Sequence, residues 1–392
     1  MTENRPASQT SSRAWIWIIP VLILLSIWLR VISLPATNGD VRAFLLRWYT
    51  YIARNGGFKA LAVPFSNYNV PYLYLMWVAT LFKSIPALTA IKLISILADL
   101  VSAYLVLQIL RRVTHSTMIP WLGFCLVLVA PTVWINSAYW GQCDGIYTAA
   151  LLASLLALLD ERPYLAVFWF GLAFTFKVQT VFFAPLLLVL ILKGKLPWRA
   201  LGLILAVYLL MDIPALLAGR SWSNLLTIYL NQAGEYNFLS MNAPNFYAFI
   251  SNNLYDTLKW PGIIFAAVVL FGFVILAVRS KTPINAHWLL LSAAFYLFMA
   301  PYLLPKMHER YFYPSAVFLI PLMLADYKYI PAAILLQITS VLSYTIFLLH
   351  TSSTNLFVAA WLNFIPLIFL IWAYLRELYP RKISLPADPH SG

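Results

Sequence analysis

Residues 15–34 read WIWIIPVLILLSIWLRVISL, twenty positions with Arg30 as the single charge. A helix needs about 20 apolar residues to cross the hydrocarbon core of a bilayer, so this stretch is a membrane-crossing helix. It has no small-residue cleavage site, and aromatics and Arg30 stand in its place, which makes it a retained helix and not a removed signal. Comparable apolar runs follow at 93–110, 118–137, 146–159, 163–176, 181–192, 200–217, 263–278, 288–304, 312–325, 330–349 and 357–375. The chain therefore reads as all-α and polytopic, with about 12 transmembrane helices (11–13) and external juxtamembrane helices.

Composition leads to the same class. The 392 residues are 62% hydrophobic and 10% charged, against about 45–50% and about 25% in soluble chains. Too little polar surface remains for a water-facing sphere, and the apolar runs leave no room for a separate soluble domain. The expected organisation is one transmembrane unit over 14–376 with external loops at 35–69 and 219–260. A disordered cytoplasmic segment, 1–13, precedes it and a cytoplasmic tail, 377–392, follows. Any chemistry must sit between helices or in their connectors, because lipid tolerates no unpaired backbone.

The net charge of +13 would suggest nucleic acid in a soluble protein. Here no basic stripe interleaved with aromatics lies outside the apolar runs, and the excess is better read as the Lys/Arg bias of cytoplasmic connectors. Arg111-Arg112, the stretch 193–199, the stretch 279–281, Lys328 and the tail 376–382 all fall on one side if the N-terminus is cytoplasmic. Residues 72–82 resist this scheme: counted as a full crossing they invert every later connector, so they read as an interfacial or re-entrant helix, or as half of a hairpin with 85–91. Cys125 and Cys143, the only cysteines, have no metal-ligand spacing.

With that parity the unusual residues collect on the external side. Asp40 follows the first helix in Asn38-Gly39-Asp40. A carboxylate at the membrane boundary can take a proton from an acceptor hydroxyl; the bland alternative is a loop Asp that caps the next helix. The connector 136–144, NSAYWGQCD, packs amide, hydroxyl, aromatic and acid groups together. Gln142 and Asp144 can grip hydroxyls, and Trp140 offers a ring face of the kind that stacks on sugars. The bland reading is an interfacial turn with Asp144 capping the helix at Ile146.

Lys177 and Gln179 split an apolar run that would otherwise extend from 163 to 192. A Lys there costs about 2.5–3.5 kcal/mol on insertion scales; it either snorkels from a tight turn or serves as a cation for a phosphate. The densest external charge cluster is PKMHERYFYP, 305–314. Arg310 can hold phosphate oxygens bidentately, His308 can donate to them or shuttle protons, and Glu309 can hold either in place. The Asn-, Tyr- and Trp-rich loop 219–260 reads as an acceptor-side wall. Asp99 is a mid-span ion-pair or helix-contact candidate, and Asp212 lies near an external helix end before Pro214. No Gly-rich phosphate loop, His-Glu-x-x-His helix or Gly-x-Ser-x-Gly elbow is present.

The patterns Trp140-Gly141-Gln142-x-Asp144, Lys177-x-Gln179 and Met307-His308-Glu309-Arg310-Tyr311, with an acid in the first external loop, resemble the GT-C membrane glycosyltransferases. They are most similar to bacterial relatives of the second mannosyltransferase of GPI-anchor assembly. The resemblance implies an inverting transfer of a mannose- or glucose-class hexose from a polyprenyl-phosphate donor to a lipid or glycan hydroxyl. It implies Asp40 as general base, with Asp144 as the alternative base because a single Asp follows Gly39 where many such proteins have an acidic pair. His308, Arg310 and Lys177 would hold the donor phosphate, and Gln142, Trp140, Gln179 and Glu309 would contact substrate. Neither metal nor cofactor is expected, and membrane lipids are the other partners. The expected location is a bacterial inner membrane with an external, periplasmic site. The rival readings are a transporter or flippase of lipid-linked sugars and a lipid-modifying acyl- or phospho-transferase using His308. The glycosyltransferase reading makes one geometric demand: Asp40 and Arg310, 270 positions apart, must meet at one cavity.

Overall fold

The computed structural model describes residues 11–380. Of the expected N-terminal segment 1–13, positions 1–10 lie outside the described residues, and 11–13 already belong to the Ser11–Ser33 helix. Of the expected tail 377–392, residues 381–392 lie outside as well. The described chain is a helical bundle whose only strands are the two-residue pieces Ser240–Met241 and Met307–His308.

Six helices are long and apolar enough to cross a membrane, and a seventh crossing results if the bent pair Ile119–Val129 and Pro131–Trp140 counts as one. Five other expected crossings rest on shorter apolar stretches: Asp144–Leu159, Pro163–Phe176, Val178–Leu192 and Tyr313–Ala325 are helices of 10–17 residues, and within the 23-residue Ser11–Ser33 helix the stretch is Trp17–Ser33. Length therefore does not give twelve crossings. The bend of 45° falls at Pro131, which has no N–H to continue the preceding ladder.

The 72–91 stretch divides between two helices. Val70–Thr80 is a separate helix of 11 residues, about 16 Å long at 1.5 Å per residue and too short to cross. Residues 87–91 are the first turns of Ala87–Val113, a continuous helix of 27 residues, and Ala90 and Ile91 pack in one cluster with Tyr72, Met76 and Ala79.

Ala286–Leu303 is the centre of the bundle. In its most apolar stretch 89% of positions are buried, against 22% for Asn252–Arg279. A helix buried all round belongs in the middle, and one with a single covered stripe faces lipid. Close approach is built in elsewhere: a Cβ on Gly171 would lie 3.1 Å from the Cα of Ile204, so Pro163–Phe176 and Trp198–Ala218 touch nearly backbone to backbone, as small residues permit in membranes.

The connectors sort into two sets. In one, Arg112 pairs with Asp160 at 2.5 Å, and His287 sits 3.5 Å from Asp326 and 3.2 Å from Glu377. Lys193 donates to the Ser280 carbonyl at 2.7 Å, and the Ser280 hydroxyl donates to that of Leu378 at 2.6 Å. These are the basic connectors, gathered at one end of the bundle. The other set builds the site.

Candidate active site

Four separate stretches converge on a cavity of about 710 Å³. The first runs from the end of Ser11–Ser33. Lys92, fully buried in Ala87–Val113, donates to the carbonyls of Ser33, Leu34 and Ala36 at 2.8, 3.1 and 2.8 Å. It thus satisfies carbonyls that the helix end leaves orphaned. The next helix begins at Asn38, whose Oδ1 accepts from the Val41 N–H at 3.1 Å and whose Nδ2 donates to the Trp140 carbonyl at 3.1 Å. Asp40 makes no capping bond. Asn38 takes the capping role that the sequence left open for Asp40, and the Asp40 carboxylate turns to the cavity.

The 131–144 connector supplies its partners. A π-helical turn over Ile135–Trp140 ends at Gly141, whose φ of +80° is a conformation that favours glycine. The turn aims Trp140 Nε1 and Gln142 Nε2 at one atom, Asp40 Oδ2, at 3.0 and 2.8 Å. Oδ1 has no hydrogen-bond partner among the described residues, and the Asp40 side chain keeps 20% exposure.

Asp144 is placed quite differently. It begins the Asp144–Leu159 helix without a capping bond and is fully buried. Lys177 Nζ donates to its Oδ1 at 2.6 Å, Asn136 Nδ2 to its Oδ2 at 2.9 Å, and Arg310 Nε lies 3.6 Å from Oδ2. Two cations at these distances hold the carboxylate ionised and leave it no open side.

Lys177 sits in an extended break between Pro163–Phe176 and the following 3₁₀ turn, as the sequence suggested. It does not snorkel: it is 7% exposed, paired with Asp144, and 5.3 Å from the centre of the Tyr68 ring. Gln179 lines the same cavity.

The 305–310 loop is stitched to the long 219–260 segment. Ser240–Met241 pairs in parallel with Met307–His308, and the Lys306 and Glu309 N–H groups donate to the Leu239 and Met241 carbonyls at 2.7 and 3.0 Å. Arg310 Nη1 is 2.9 Å from Glu309 Oε1 and 4.0 Å from Asp40 Oδ2, so the two ends of the chain's site meet as the geometry requires. Glu309 is buried beside His308, at 3.8 Å, and Arg310. Burial alone would raise its carboxyl, but the nearby His308 and Arg310 outweigh it and hold it below the ordinary carboxylate range. His308 stands edge-on between Tyr236 and Tyr311, with ring centres 5.7 and 5.2 Å away.

Seven of the nine residues expected at the site line this cavity, and Asp144 lies behind its wall, against Lys177 and Arg310. Trp140 is the correction: it is fully buried, stacked on Phe347 at 5.1 Å, with the Arg310 guanidinium 5.5 Å from its ring centre. No face is left for a sugar, and its contribution is the Nε1 donor. Asp99 and Asp212 lie elsewhere. Asp99 pairs with Arg30 at 2.8 Å and accepts from Ser137 at 2.5 Å, bracing the back of the connector. Neither Asp212 oxygen has a hydrogen-bond partner among the described residues.

Sequence reasoning missed Lys92, Asn38 and Tyr68. Lys92 had a signal, a charge inside an apolar run, and Asn38 had the spacing of an N-cap three residues before Val41. Tyr68, an uncharged residue in a long loop, had none.

The family model described as Glycosyltransferase family 87 matches residues 65–301, more than half of the chain. The match contains the 136–144 connector, Lys177 and Gln179, and Asp40 and Arg310 lie on either side of it. No curated protein matches the chain.

Proposed function

The chain belongs to glycosyltransferase family 87 and is a membrane glycosyltransferase; we propose that it transfers a hexose from a polyprenyl-phosphate sugar to a hydroxyl of a lipid or glycan acceptor, with inversion, Asp40 acting as the base. The observation that carries this reading is the 4.0 Å approach of Arg310 to Asp40 on one cavity wall: a proton acceptor and an anion-binding group share one site, as transfer from a phosphate leaving group to a hydroxyl needs.

Asp40 is favoured over Asp144 as base because a base needs an open lone pair within reach of the substrate. Asp40 has Oδ1 free on the cavity side, whereas every approach to Asp144 is taken by Asn136, Lys177 and Arg310. In the proposed step the acceptor oxygen attacks the anomeric carbon while its proton passes to Asp40 Oδ1. The bond from that carbon to the phosphate oxygen breaks, and its electron pair leaves on the polyprenyl phosphate. Arg310 compensates the departing charge, with His308 donating at the same end, a preorganised electrostatic role. Lys177, closed on Asp144, contributes potential and fixes Arg310 through their shared carboxylate. Gln179 and Glu309 remain the candidates for sugar hydroxyls.

A prenyl chain requires an apolar path to lipid. Phe238, Ile263 and Leu304 line the cavity, and Ile263 belongs to the lipid-facing Asn252–Arg279 helix. The similarity to GPI-anchor mannosyltransferases favours mannose. The five short apolar helices, added to the seven longer crossings, would give twelve, which keeps the basic connectors on one side; by the positive-inside rule that side is cytoplasmic, and the cavity is periplasmic in a bacterial inner membrane.

The test is incubation of membranes containing the protein with radiolabelled polyprenyl-phosphate mannose or glucose. Wild type should yield labelled product, and Asp40→Asn should lose about 10²–10⁴-fold in rate. An Asp40→Asn protein of undiminished rate, or a wild type inert with both donors, would overturn the reading.

A further inference from the structure

We propose that Tyr68 is a positioning residue: its hydroxyl fixes which end of the Gln142 amide faces Asp40. This rests on Asp40 being the base. The Gln142 side chain bridges the two, with Nε2 donating to Asp40 Oδ2 at 2.8 Å and Oε1 accepting from the Tyr68 hydroxyl at 3.2 Å. An ionised carboxylate only accepts, so the NH₂ end of the amide must face Asp40 and the oxygen must point away. The Tyr68 O–H is the donor that rewards that orientation. Without it, Oε1 has lost its partner and the amide is free to turn its oxygen toward the carboxylate, which then keeps only the Trp140 donor.

The hydroxyl is held in place independently of Gln142. The Tyr68 ring packs against Trp48 and Tyr72, with ring centres 5.0 and 5.3 Å away, and faces Lys177 Nζ. Its neighbour Asn69 is buried and donates to the Thr175 carbonyl at 2.9 Å, pinning the segment to the end of the Pro163–Phe176 helix. A phenylalanine would keep all of these contacts and lose only the oxygen.

Asp40 has several charged or titratable neighbours. Arg310 faces it directly, Tyr236 approaches from the 219–260 segment, and Asp144, Lys177, Glu309 and His308 stand one contact further, around Arg310. Tyr68→Phe removes no charge from among these neighbours. The effect on Asp40 therefore has a sign: fewer donors favour its protonated form, so the pH at which the base is lost moves up.

The experiment compares wild type, Tyr68→Phe, Gln142→Leu and the double variant, by pH profile of kcat and by thermal unfolding without substrate. In Tyr68→Phe the acid limb should rise by about one on the pH scale and the plateau should fall severalfold, as for loss of one hydrogen bond that serves a charged group, with donor and acceptor KM unchanged. In the Gln142→Leu background, Tyr68→Phe should have no further effect on the profile, and the two substitutions should lower Tm by less than the sum of their separate effects. An unmoved acid limb in an active Tyr68→Phe protein, or the same loss with and without Gln142, refutes the proposal. Tm effects that simply add refute it even if wild type uses neither donor; that inactivity would sink the donor reading alone.

Discussion

Replacing Lys177 by Met tests the electrostatic design of the site most directly. Lys177 Nζ lies 2.6 Å from Asp144 Oδ1, and the two side chains are 8% and 0% exposed, so solvent screens the pair very little. Breaking a buried pair by removing one partner costs about 3–5 kcal/mol, because the other charge is left uncompensated. Two groups soften the loss here: Arg310 Nε stays 3.6 Å from Asp144 and Asn136 still donates to it. The expected cost is therefore at the lower end, about 3 kcal/mol. Adding Asp144→Asn removes the stranded charge, and the double variant should recover all but about 1 kcal/mol of that loss. The coupling between the two positions is then about 2 kcal/mol or more, well beyond the scatter of independent sites. Denaturant unfolding of the four purified proteins in detergent, followed by tryptophan fluorescence, measures it. Single-variant costs that simply add in the double variant would show that the pair is not energetically closed, and Lys177 would return to being a free phosphate ligand.

Three further outcomes follow from the same geometry. Lys92→Met strands three carbonyls at the end of the first helix, at about 1–3 kcal/mol for each that water cannot reach; unfolding should show a loss of about 3 kcal/mol, and kcat should fall while KM for the donor holds, because the freed segment carries Asp40. Glu309 has a depressed pKa in the folded protein, so its contribution to stability is complete above its ordinary value of 4.5 and is lost as pH falls through the lower folded value; Glu309→Gln should flatten the unfolding free energy against pH in that acid window and lower it near neutrality, where the contribution it removes is complete. Gly171→Val places a branched side chain against the Ile204 backbone, and overpacking should cost about 1–3 kcal/mol in thermal unfolding, with KM unaffected.

What the sequence made legible, and what it hid, follows from how each feature is encoded. Charges inside or between apolar runs stand out because lipid makes them costly, and that is why Asp40, Asp144, Lys177 and Arg310, which the fold brings together, could all be singled out although they lie in four separate stretches. Their division of labour was not legible. Asp40 and Asp144 are the same residue type beside similar helices, and what separates them is how closely cations reach them: Lys177 and Arg310 Nε close on both oxygens of Asp144, whereas Arg310 comes only to 4.0 Å of Asp40, on the one oxygen that Trp140 and Gln142 also serve. That difference depends on a π-helical turn and on a two-residue strand pairing between segments 67 positions apart, neither of which has a periodicity to read. Trp140 was misread for a related reason: an indole carries both a stacking face and an N–H, and only the packing of Phe347 and Arg310 over its faces decides which of the two is available. The span count suffers from the opposite problem. Helices of 9–16 residues such as Ala184–Leu192 and Asp144–Leu159 read as crossings by parity but fall short by length; a 3₁₀ turn over Val178–Phe183 stands where Ala184–Leu192 would have its first turns, and a π turn over Ile135–Trp140 precedes Asp144. The same departures from regular helix that shorten the spans bring Asp40, Asp144, Lys177 and Arg310 to one cavity.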